Sequence, residues 1–413
     1  MGDPENFIQT SSTKIGIKNF YESKSKTYKM SNECLINVLL LSNKKTFKYA
    51  LVVADIIWFS DQCVRKVKNL LSKEINIPSE AIMLSASHTH GTPNPEQTIS
   101  HPPYSKHFDD HVTKKVLDCF KKAKNKRKKC VKIDFRRVSN GDFSINRRRS
   151  ALSFKNGIKY EMQNLPNFKI PVDKNIDLMN FTDVKTNKNL AKIIKVNCHP
   201  VASPKNLVGS DYIGYLRKKL HNKTHHVFFL QGLCGDIRPK IIKENTTIKD
   251  YLIKVLIGDR FRKPNILDAK NIGNKIASLI NKVSKKNTGN KITSISKCYR
   301  RRLDLKLKNG ETFKKKLEIT IWDWRPVIFI FFNGEVLSGY NISNFKDFKL
   351  ICVGYSNGMI GYLPTKNDII KGGYEVDKSR INFHIQDRLC KTNESIIKNQ
   401  IKSLIHKIVD NEL

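Results

Sequence analysis

The clearest pattern along the chain is a continuous apolar run, "FKYALVVADIIWF" (47–59), rich in β-branched side chains, which predicts a buried strand. The following "SDQCVRKVKNLLSKEI" (60–75) switches to helical spacing, with Ser60 or Asp61 as the N-cap. "AIMLSASHTH" (81–90) returns to a strand, which completes a βαβ signature. The alternation continues with a helix over 105–126 and strands over 130–138, 176–184 and 189–200. A helix over 210–223 precedes a strand over 226–236 that enters a Gly-rich loop. Strands over 291–307, 319–340 and 348–357 and a closing helix over 393–409 complete the set. No linker, low-complexity break or internal repeat interrupts it, so the pattern predicts one mixed α/β domain. In open α/β sheets the chemistry gathers just past strand ends.

Several of these predicted strands do end in reactive side chains. Asp55 ends the first, and His88 and His90 lie at the end of "ASHTHGTP". "VNCHPVAS" offers His199, where Pro200 argues against a helix. "FNGEVLSGY" offers Glu335, and the Gly-rich "GYSNGMIGYLPT" offers Tyr355 and Tyr362. Two imidazoles and a carboxylate with an open position make a hydrolytic zinc site. Alternate strand residues face opposite sides, but the twist into a loop can turn both His88 and His90 towards one cavity. Spacing alone leaves the choice open, because the ligands come from distant segments. Each histidine taken singly also reads as a satisfied or exposed side chain, and Glu335 as a solvated turn residue.

Composition changes the picture in three ways. The acidic, polar start "MGDPEN" lacks a basic n-region and apolar h-region, and no run of 18 apolar residues occurs, so a cytoplasmic location is expected. Nine scattered cysteines without a CxxC suggest reduced thiols rather than a disulfide framework. The net charge of +39, from 76 Lys and Arg against 37 Asp and Glu, points to an anionic ligand or surface, or to a lysine-rich bias spread over a solvated exterior. No helix-turn-helix, zinc-finger or RNP-like motif accompanies it, so nucleic acid is the weaker partner.

From about residue 35 onwards the segments "ASHTHGTP", "VNCHPVASP", "FFLQGLCGDIRP", "FNGEVLSGY" and "GYLPTKNDIIKGGYEV" resemble, in order and setting, the catalytic domain of the neutral/alkaline (non-lysosomal) ceramidase family. The resemblance divides the chain into a divergent segment, 1–34, and a catalytic domain, 35–413, without the C-terminal β-sandwich of the classical enzymes. It implies Zn2+ held by His88, His199, Glu335 and Tyr362. It also implies that His90 lines the same cavity as a proton shuttle, and that Tyr374 and Arg147 stabilise the oxyanion of a small-molecule amide substrate. The Arg147 assignment is the looser one, since Arg148 and Arg149 adjoin it. Asp55 and Asp211 look like supporting or scaffold residues.

Three departures bear on substrate. Arg238 stands where the family carries a catalytic serine, with Asp236 nearby as a pairing partner; a guanidinium cannot replace a hydroxyl but can grip a carboxylate or phosphate. "GTPNPEQ" replaces the usual Gly-rich loop after His90, and "IQTSSTKIGIKNF" is at best a poor remnant of the family's opening strand. The expectation is a zinc-dependent amidohydrolase cleaving an N-acyl bond of a small polar or anionic substrate rather than ceramide. The alternatives are a non-catalytic metal-binding relative, or a basic-surface protein that binds nucleic acid or an anionic membrane.

Overall fold

The computed structural model describes residues 5–21, 28–96, 106–139, 141–154, 157–221, 226–284, 289–340, 342 and 348–410. The helix Asp61–Ile75 illustrates how sequence sets local structure. The Ser60 Oγ accepts from the Cys63 N–H at 2.9 Å, and Cys63, Val64, Val67, Leu71 and Ile75 form its buried face at helical spacing. Asn76, at φ 50°, ends it in the left-handed conformation.

A mixed sheet organises the molecule. Its strands run, in spatial order, His226–Gln231, Asn189–Val196, Ile176–Asp183, Lys129–Val138, Asn6–Lys14, Leu35–Ser42, Phe47–Ala54 and Ile82–Ala86. The outermost pair at each edge is parallel and the pairs between them are antiparallel. A second sheet, Cys298–Leu303, Leu317–Trp324, Val327–Phe332 and Lys349–Val353, packs on the first through Trp322, Trp324, Phe329 and Phe331. Its outer face is covered by the helix Asn393–Asp410, which contributes Ile397, Ile401, Leu404 and Ile405 to a separate core.

The segment after Val353 joins both edges of the main sheet. The Gly354 N–H donates to the Gln231 carbonyl at 3.0 Å, the Tyr355 carbonyl accepts from the Ala86 N–H at 3.0 Å, and the Asn357 N–H donates to the Leu84 carbonyl at 2.7 Å. The two edge strands that lead into the candidate chemistry are thereby held on one short piece of backbone.

The predicted α/β class holds, with adjustments. Residues 319–340 form two strands turned at Arg325–Pro326 and a short third one, Glu335–Val336, and the strand expected over 291–307 breaks into the short Asn290–Lys291 and Cys298–Leu303. Asn6–Lys14, read from sequence as a remnant, is a full nine-residue strand paired along its length with Leu35–Ser42 and in part with Lys129–Val138. Its buried positions include Gln9 and Ser11, which hides it from a hydrophobic pattern. The strands Ser144–Ser153 and Lys159–Asn167 also escape the pattern, because the first carries Arg147, Arg148 and Arg149.

Candidate metal centre

His88 follows the strand Ile82–Ala86 and has φ 62°, a left-handed conformation that a non-glycine residue rarely adopts. That backbone turn is what redirects the imidazole out of the strand's alternation. The ring is buried and lies flat on the Tyr355 ring, with centroids 4.0 Å apart and an interplanar angle of 26°. Its Nδ1 is 2.8 Å from the Ile57 carbonyl, which fixes the ring and leaves Nε2 pointing inwards.

His199 is arranged in the same manner. Its Nδ1 lies 2.7 Å from the Cys234 carbonyl and 3.1 Å from that of Ile237. Burial pushes its imidazole well below the usual range, with Arg147, His88 and His90 adding to the shift. The neutral ring is the form that presents a lone pair. Asp211, at φ 52°, accepts from the Ala202 and Ser203 N–H groups and so braces the loop after His199.

The ring nitrogens of His88, His90 and His199 form a cluster in which one ligand atom from each lies within 4.8 Å of the others. Glu335 closes the same space. Its Oε1 is 2.6 Å from His88 Nε2 and 3.9 Å from His199 Nε2. These atoms are buried: His88 Nε2 meets Glu335 Oε1 in poor hydrogen-bond geometry, and Glu335 Oε2 makes no hydrogen bond. Orphaned buried polar atoms are costly unless something satisfies them, and this donor set of imidazole nitrogens and carboxylate oxygen suits a zinc-class cation. The residues present therefore fit a metal.

Tyr362 stands beside this group. Its hydroxyl accepts from Arg147 Nη2 at 3.1 Å, and burial together with the Glu335 charge drives its phenol well above the ordinary range. Arg147 also donates through Nε to Glu375 at 2.8 Å, and its guanidinium lies 5.7 Å from the centroid of the Tyr374 ring. Burial opposes the Arg147 cation, but Tyr362 and Glu375 more than offset that and hold it charged.

The three consecutive arginines are thus separated by environment. Arg147 faces the cluster. Arg148 is committed to Glu375, Asp368 and the Gly372 carbonyl, and Arg149 to the carbonyls of Ile257 and Asp259. Glu375, which the sequence reading passed over, is the shared anion of Arg147 and Arg148. Its signal was its place directly after Tyr374 in "GGYE".

A cavity of about 770 Å3 opens beside His90. Arg238, Lys205 and Asp211 line it, together with Tyr21 and Tyr28 from the segment read as divergent. The Arg238 guanidinium lies 4.3 Å from the centroid of the Phe261 ring, its Nε is buried without a partner, and burial with nearby Arg147 lowers its pKa to about 10. The expected pairing of Asp236 with Arg238 is not formed. The Asp236 carboxylate instead accepts from Asn146 Nδ2 at 2.7 Å and from the Ser338 N–H and hydroxyl at 2.7 and 2.8 Å. Buried and fully engaged, Asp236 ties the strand that carries Arg147 to the turn after Glu335. Asp55, likewise, accepts from the Leu35 N–H at 2.8 Å and from Arg217.

A search of solved structures finds the neutral ceramidase of Pseudomonas aeruginosa, with a TM-score of 0.72 over 97% of this chain and 74% of that one, at 12% identity. A ceramidase complexed with C2 matches with a TM-score of 0.71 over 96% of this chain and 74% of that one, also at 12% identity. The chain has a neutral ceramidase-like fold. No protein-family model and no curated protein sequence matches it. Among the described residues no helix is long and apolar enough to cross a membrane.

Proposed function

We propose that this ceramidase-like chain is a metal-dependent amidohydrolase that cleaves an N-acyl bond, with zinc as its metal. What supports the reading most is the convergence of the His88, His90 and His199 ring nitrogens beside the buried Glu335 carboxylate, whose Oε1 is 2.6 Å from His88 Nε2 and whose Oε2 makes no hydrogen bond. His88, His199, Glu335 and Tyr362 would hold the ion; His90, whose ring nitrogen falls in the same cluster, is the more exposed of the three imidazoles and stands towards the cavity. A metal bound there polarises a carbonyl and lowers the pKa of water.

The chain's own groups account for the rest. The Ile57, Cys234 and Ile237 carbonyls orient the two buried imidazoles. Arg147, kept charged by Glu375, and the Tyr374 hydroxyl are donors for a developing oxyanion. His90, at the cavity edge, can hand a proton to the leaving amine. Arg238 and Lys205 supply positive charge to the cavity, which favours a substrate with a polar or anionic group near its amide. The scaffold atoms that support His88 and His199 argue for a working site over a non-catalytic remnant.

Elemental analysis of the purified protein and of His199→Ala tests this directly. One zinc per wild-type chain, lost in the variant together with hydrolysis of an N-acyl panel, is the expected result. Wild type that takes up no metal when zinc is supplied overturns the reading.

A further inference from the structure

The helix Ile248–Ile257, "IKDYLIKVLI", is built inside out. Ile248, Tyr251, Leu252, Val255 and Leu256 are between 57% and 83% exposed, whereas its one acidic residue, Asp250, is buried. Asp250 is held there by Arg260 at 2.7 Å, by Lys243, and by the Thr247 hydroxyl at 3.0 Å. An ordinary surface helix turns its apolar stripe inwards; here the ion pairs fix the opposite orientation.

The apolar surface continues beyond the helix. Ile257 lines a cavity of about 680 Å3 together with Phe154, Tyr160 and Ile370, all three of them exposed. Patches of this kind mark an interaction surface. The exposed helix side chains form an apolar ridge beside this cavity, and Tyr251, Tyr160 and Phe154 add the aromatic rings that favour the water–hydrocarbon boundary.

We propose that this ridge docks on an anionic lipid surface, lying in the interface with Leu252, Val255 and Leu256 inserted. Charge selects the occupant. Lys249, Lys159 and Lys371 are exposed on these same elements and outnumber the one exposed acid there, Glu161, while Asp250 and Asp259 are already paired with Lys243, Arg260 and Lys254. A chain of net charge +39 resists apposing a second copy of itself but is drawn to a negative bilayer. The ridge is also connected to the cavity beside His90. The same segment continues to Phe261, which stacks on Arg238, and to Pro264 in the cavity wall. Docking here would set the cavity close to the lipid surface.

The test is co-sedimentation of the full chain with vesicles of phosphatidylcholine alone and of phosphatidylcholine with about a third phosphatidylserine, at about 0.15 M salt. It needs no turnover. Wild type should sediment with the anionic vesicles and at least about tenfold less with the neutral ones. Leu252→Ser/Leu256→Ser, which alters only exposed side chains and should keep its circular dichroism and melting temperature, should bind at least about tenfold more weakly. Absence of binding to anionic vesicles overturns the proposal. So does equal binding by the variant, which would leave only diffuse charge attraction. A wild-type dimer in light scattering that the variant dissolves would assign the ridge to a second copy instead.

Discussion

Glu375→Gln isolates the ion network behind the metal cluster. Glu375 is 4% exposed, and its two oxygens are divided between Arg147 Nε at 2.8 Å and Arg148 Nη1. Glutamine keeps the shape and removes the charge, so two guanidiniums, themselves 7% and 2% exposed, lose the anion between them. Breaking a buried pair from one side costs about 3–5 kcal/mol. Asp368 remains 3.2 Å from Arg148 Nε, so the loss falls chiefly on Arg147 and the expected cost is about 3 kcal/mol.

The dependence on pH gives a second handle. Burial works against the Glu375 carboxylate, but Arg147 and Arg148 outweigh it and hold the carboxyl below its usual range. A carboxyl depressed in the folded state contributes stability that is complete above its unfolded value, about 4.3 for glutamate, and is lost as pH falls through the folded value. The gap between wild type and variant should therefore be full at pH 7 and shrink below about pH 4.3. Denaturant unfolding followed through the buried Trp58, Trp322 and Trp324 reads it. With Arg147 no longer anchored, kcat/KM should also fall about 100-fold. A variant within about 0.5 kcal/mol of wild type at pH 7, or a gap unchanged in acid, would refute the reasoning.

Two further substitutions test the cavity. Arg238→Leu should lower the preference for anionic over neutral N-acyl substrates by about 10- to 100-fold, the worth of a charge-assisted hydrogen bond, with little change on neutral amides; an unaltered ratio of kcat/KM values would remove Arg238 from substrate selection. Tyr374→Phe should retain full metal content while kcat falls about 100- to 1,000-fold, as for loss of one oxyanion donor. A loss of metal in that variant would instead make Tyr374 part of the metal's support.

The hydrophobic pattern determined much of this protein locally. It predicts Phe47–Ala54, Asp61–Ile75 and Ile82–Ala86, because continuous apolar runs and a helical stripe record which faces are buried. Motif order points to His88, His199, Glu335 and Tyr362 from segments far apart in the chain, and the fold brings those segments to one place. The same pattern is silent on Asn6–Lys14 and Ser144–Ser153, where Gln9, Ser11, Asn146, Arg147 and Arg148 are buried among few apolar side chains: a side chain satisfied by a hydrogen bond or an ion leaves no trace in hydropathy. It also misreads Asp236, since adjacency to Arg238 in sequence says nothing of which neighbour reaches the carboxylate first. Only the tertiary structure decided that Arg147 faces the cluster while Arg148 and Arg149 turn elsewhere, that Glu375 stands between two of them, and that Ile248–Ile257 presents its apolar side outwards. Those outcomes depend on long-range pairing and backbone direction, such as the left-handed turn at His88, and one chain position does not encode what another will bring against it.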